Sequence, residues 1–85
     1  SGEAIINNQT GLHARPALVL VNAAKEFESN IKLLQDNREA NLKSLISIMS
    51  LAIGVGESVV VEADGPDAQE AVDTIIEIIQ SDFEE

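Results

Sequence analysis

The chain has 85 residues, 45% of them hydrophobic, no cysteine, and a formal charge of −10 from fifteen acidic and five basic side chains. That length predicts one domain over residues 1–85, and the apolar content is enough for a packed core. The charge repels nucleic acid and anionic lipid, so neither is an expected partner, and the lack of cysteine excludes a disulfide framework and a thiolate metal site.

The only aromatic residues are Phe27 and Phe83, so the core must be built from Ile, Leu, Val and Ala. The longest apolar stretch, residues 45–55, is interrupted by Ser47, Ser50 and Gly54 and is too short to insert across a membrane. The opening residues do not read as a signal peptide, which together with the missing cysteines predicts a cytoplasmic protein.

In chain order, residues 4–6 predict a short first strand, followed by a loop over residues 7–11 with its Asn, Thr and Gly. A helix is predicted over residues 16–27. Ala17, Leu20, Val21, Ala24 and Phe27 recur at helical spacing, while Lys25, Glu26 and Glu28 form the solvated side. Residues 31–35 predict a second strand, although Leu34 breaks the alternation of Ile31, Lys32 and Leu33. Asp36-Asn37 suits a tight turn into a third strand over residues 39–42. Ser44 suits the N-cap of a second helix over residues 45–53, which Gly54 and Gly56 are expected to end. Residues 58–63, rich in valine, form the clearest strand. Asp64-Gly65-Pro66-Asp67 then turns the chain into a last helix, whose Ala68, Ala71, Val72, Ile75, Ile76 and Ile79 share one face. The order is βαββαβα, an α+β sandwich of a sheet covered by helices on one face.

The chemistry concentrates in Thr10-Gly11-Leu12-His13-Ala14-Arg15-Pro16-Ala17. Proline is tolerated in the first turn of a helix, where its missing N–H is not needed. His13 therefore lies just outside a helix N-terminus, where free N–H groups and the positive end of the helix dipole favour an anion. Arg15 adds a fixed charge and a planar fork of donors that fits phosphate. A neutral imidazole can act as nucleophile toward phosphorus, so the stretch pairs a nucleophile with a phosphate cradle. One histidine and scattered carboxylates offer no convergent metal-ligand spacing, and no cofactor is expected.

This stretch, with Lys43-Ser44-Leu45 further on, resembles the HPr family of histidine-containing phosphocarrier proteins of the bacterial phosphoenolpyruvate:sugar phosphotransferase system. The likeness runs over nearly the whole chain. It implies an open-faced sandwich with a four-stranded antiparallel sheet under three helices. It also implies a monomeric carrier rather than an enzyme. His13 would take a phosphoryl group on Nδ1 from phosphorylated enzyme I, with Arg15 stabilising it, and pass it to the A domain of a sugar-specific enzyme II. By the same resemblance Ser44 is a regulatory phosphorylation site, with an HPr kinase/phosphorylase and a catabolite regulator as further partners. Leu45, Ile46 and Met49 are expected to form an exposed docking patch beside His13, whereas Ile48, Leu51 and Ala52 are expected in the core.

Two other readings bear on the same residues. Acyl carrier proteins are small and acidic and hold a serine at a helix N-terminus, which would make Ser44 a prosthetic-group site. They carry Asp before that serine where this chain has Lys43, and they are all-helical, against the strand at Val59-Val60-Val61. The other is an HPr-like domain of a larger or regulatory phosphotransferase protein. Some such regulators lack the active histidine, which is present here, and the large negative charge suits specialised partners or a fused polypeptide.

Overall fold

A computed structural model of the chain describes residues 1–9 and 11–83; Thr10, the first residue of the His13 stretch, lies outside the described residues. Among these the order is β1 (Gly2–Ile5), α1 (Ala14–Ala24), β2 (Asn30–Gln35), β3 (Arg38–Asn41), α2 (Leu45–Met49), β4 (Ser58–Asp64) and α3 (Ala68–Gln80), as the patterning predicts. The strands form one sheet in the order β1-β4-β2-β3, with every neighbouring pair antiparallel. Ala4, Ile31, Leu33, Ala40, Val59 and Val61 point to one face and are buried beneath the three helices. Strand side chains alternate between faces, so this single covered layer fixes the register of all four strands. Leu34 breaks the alternation because it lies on the open face, across from Val60 of β4, and each half-buries the other's flank.

The helices bury the stripes their spacing predicts. Ala17, Leu20, Val21 and Ala24 of α1 face inward, as do Ala71, Val72, Ile75 and Ile79 of α3. α1 starts two residues earlier than the proline suggested, which puts Pro16 third in the helix, still within the turn whose N–H groups need no helical acceptor. It also ends earlier, so Phe27 packs half-buried on the core from a following turn, where its N–H donates to the Ala24 carbonyl at 3.2 Å.

Two helix ends depart from the residue types that usually close them. α2 stops at Met49, well short of Ile53, and neither Gly54 nor Gly56 ends it. The chain turns at Ala52, which has φ 51° and is exposed rather than in the core, while Ile48 and Leu51 are buried as expected. α3 ends with Phe83 N–H donating to Ile78 O at 2.8 Å and Asp82 N–H donating to Ile79 O at 3.2 Å, the paired bonds of a Schellman motif. The left-handed position there, usually glycine, is Asp82 at φ 59°. A left-handed L-residue costs about 1–2 kcal/mol, partly offset in glycine by about 0.5–1 kcal/mol of unfolded-state entropy. Ala52→Gly is therefore expected to stabilise the fold by about 0.5–1 kcal/mol, seen as a higher urea midpoint at unchanged slope.

The start of α3 is tied to the turn before β2. Asp67 is the N-cap of α3, yet its carboxylate does not cap its own helix. Instead it accepts hydrogen bonds from the Ser29 hydroxyl and, at 2.9 Å each, from the backbone N–H groups of Glu28 and Ser29. Gly65 makes this approach possible: at φ 151° a Cβ there would stand 2.7 Å from Ser29 Cα. The Ser29 hydroxyl above all, then the Glu28 N–H, hold the Asp67 carboxyl below its ordinary 3.8, against a smaller opposing effect of burial. The lowered value means that this tie stabilises the fold above about pH 3.8, and that its contribution disappears as pH falls further. Asp67→Asn is thus expected to lower the melting temperature at pH 7 and to reduce its fall between pH 4 and pH 2, as followed by circular dichroism.

Candidate phosphoryl-acceptor site

The loop from β1 to α1 is held from below by the segment after α2. Ile6 exchanges backbone hydrogen bonds with that segment, donating to Glu57 O at 2.9 Å and accepting from Gly56 N–H at 2.7 Å. Leu12 N–H donates to Ile53 O at 2.9 Å, and the buried Leu12 side chain anchors the loop in the core. Between them Gly11 turns at φ 66°, where a Cβ would lie 2.8 Å from Ile53 O. Asn8 Nδ2 closes the turn on Gly11 O at 2.7 Å. The supporting segment is itself braced, because Glu57 accepts from Gly54 N–H and from Gln35 Nε2, whose amide oxygen accepts from Arg38.

His13 emerges from this loop as the N-cap of α1. Its backbone is extended, its carbonyl accepts from Ala17 N–H at 3.0 Å, and its side chain makes no capping hydrogen bond. The imidazole is exposed and makes no hydrogen bond or ion pair with a described residue. The N–H groups of Ala14 and Arg15 have no acceptor within the helix, and Pro16 has no N–H. The exposed Arg15 guanidinium forms no ion pair with a described residue. His13, Arg15, Pro16 and Val19 line one face of an open depression of about 720 Å³, with Asn8, Asp82 and Phe83 on the others. An anion in it would meet a helix N-terminus and a free guanidinium beside a free imidazole.

Ser44 and the α2 residues do not line this depression. Ser44 is the N-cap of α2, its hydroxyl accepting from Ser47 N–H at 3.2 Å. Lys43 Nζ donates to Phe27 O at 2.7 Å, beyond the C-terminal end of α1. On α2, which packs against α1, Ile46 is 83% exposed and Met49 41%, whereas Leu45 is half-buried against the core. None of the three lines the His13 depression. Asn8 and Asp82 do, and sequence patterning singled out neither. Asn8 lay in an ordinary polar loop, and Asp82 is joined to the site only by the docking of α3.

A family model described as "PTS HPr component phosphorylation site" matches residues 1–81. The chain belongs to the HPr family. It is 44% identical to the phosphocarrier protein HPr of Mycoplasma capricolum over 85% of this chain and 81% of that one. With the HPr of Cupriavidus necator it shares 41% identity over 94% and 90%. The fold superimposes on the crystal structure of HPr from Thermoanaerobacter tengcongensis with a TM-score of 0.93, at 42% identity over 99% of this chain and 96% of that one. The matched relatives are phosphocarrier proteins and the matched family is a component of the phosphotransferase system, so this chain belongs with the phosphocarriers of that system. No helix among the described residues is long and apolar enough to cross a membrane.

Proposed function

We propose that residues 1–85 act as one phosphocarrier domain that takes a phosphoryl group onto His13 from phosphorylated enzyme I. It then yields the group to the A domain of a sugar-specific enzyme II. The observation that carries this reading is the exposed, uncommitted imidazole at the N-cap of α1, in one depression with the unpaired Arg15. The imidazole nitrogen attacks phosphorus, and the displaced imidazole of enzyme I takes up the proton that His13 gives up. The N–H groups of Ala14 and Arg15 and the Arg15 guanidinium meet the charge on the transferring oxygens. Because the depression is open, each partner supplies the remaining walls of the reacting site. Ile46 and Met49, with the outer edge of Leu45, are the apolar surface offered for docking. The carrier works in the cytoplasm as a single copy; the dimers of T. tengcongensis HPr and of Bacillus subtilis Crh are states of those proteins.

Ser44 has a structural role as a cap, and in this reading it is also the regulatory phosphorylation site. A phosphate on its hydroxyl adds a charge of about −2 next to the docking residues, which opposes an acidic partner surface.

The test is incubation with enzyme I and labelled phosphoenolpyruvate. Label on the carrier that survives base and is lost in acid is expected for a phosphohistidine. No label, or label that survives acid, would refute the reading.

A further inference from the structure

Asp82 stands against two local preferences at once. It is a non-glycine residue in the left-handed conformation, and it places a carboxylate at the C-terminal, negative end of α3, a helix of 13 residues. Its side chain makes no hydrogen bond or ion pair with a described residue that could compensate. What the position does achieve is a negative charge on the depression that holds His13 and Arg15.

We propose that Asp82 sets the transfer potential of the phosphohistidine by opposing the phosphoryl group across this depression. This rests on the assignment of phosphoryl transfer to His13. A carrier must accept and then release, so a cradle of cations alone would hold the group too well. Arg15 and the helix N-terminus attract the phosphoryl oxygens, and Asp82, facing the same space, raises the energy of the loaded state relative to the empty one. Asp82 does not touch the reacting atoms; it acts through the charge of the group they carry. In the transfer, the N–P bond of the enzyme I phosphohistidine breaks and an N–P bond forms on His13. One imidazole proton passes the other way. The equilibrium constant of that exchange therefore reports the energy of loaded His13 directly.

Because the depression is open to solvent, which weakens the interaction between charges, removing the carboxylate is expected to shift the exchange about two- to tenfold toward the loaded carrier at low ionic strength. The shift is expected to shrink in 1 M salt, where the screening length is about 3 Å. The measurement is the distribution of labelled phosphoryl between enzyme I and carrier for wild type, Asp82→Asn and Asp82→Gly, with melting curves showing that each is folded. Equal, salt-sensitive shifts in both variants support the proposal. Wild-type constants in both, a shift only in Asp82→Gly, or a shift indifferent to salt would overturn it, since each traces the residue to backbone geometry or to nothing. A wild-type chain that accepts no label overturns the phosphocarrier reading itself, a result distinct from these.

Discussion

Replacing His13 with alanine is expected to abolish phosphoryl acceptance, bringing acid-labile label to background, while the melting temperature stays close to that of wild type. The first half follows from the composition, because His13 is the only histidine in the chain. The second follows from its surroundings. The side chain is exposed and makes no cap hydrogen bond, and the α1 contact of this residue runs through its carbonyl, which alanine keeps. Surface changes without such contacts move stability by only about 0.5 kcal/mol. Phosphorylation by enzyme I and thermal unfolding, measured on one preparation, separate lost chemistry from lost fold. A folded variant that still takes up acid-labile phosphate would refute the assignment.

Gly11→Ala is expected to have the largest effect away from the reacting atoms. A methyl group at this position meets the Ile53 carbonyl oxygen at 2.8 Å and Gly54 Cα at 3.0 Å, both backbone atoms with no rotamer in which to retreat. It also puts alanine at φ 66°. The left-handed conformation costs about 1–2 kcal/mol and overpacking about 1–3 kcal/mol, so a loss of about 2–5 kcal/mol is expected. The relief available is to push the loop away from the segment after α2, which breaks the Leu12–Ile53 hydrogen bond one residue before His13. Transfer is therefore expected to slow even where the variant remains folded. Denaturant unfolding gives the stability, and the transfer rate at a temperature where the variant is fully folded gives the positional effect. Wild-type stability would show that the loop has room that the backbone contacts do not indicate.

The sequence made the element order legible because each apolar stripe had one period and one place to go. Val59 and Val61 alternate, Ile75 and Ile79 recur at a helical step, and burial followed both. Leu34 looked like an error of pattern because the partner that explains it, Val60, comes from a strand 26 positions later in the chain. The ends of helices were read least well. Glycine was the expected stop for α2, yet Ala52 takes the left-handed turn, because the burial of Leu51 and Ile53 on either side fixes the path of the chain against local preference. The same holds for the site. His13, Arg15 and Pro16 are neighbours in sequence and were visible as a group. Asp82 joins them only when α3 packs across the sheet, and no local rule marks it.

The position of β1 in the sheet also bears on how the molecule opens. β2, β3 and β4 can assemble around the short β2–β3 turn and one further crossing, but β1 docks only by bringing residue 2 against residue 61. It then has a neighbour on one side alone. Non-local pairings of this sort are late to form, and edge elements with few partners are early to fray. Amide protons of β1 are consequently expected to exchange with solvent faster than those of β4, and such an opening would loosen Ile6 and the loop that leads to His13. The loop that carries His13 thus continues from an edge strand, while the β2–β4 pairing lies at the centre of the sheet.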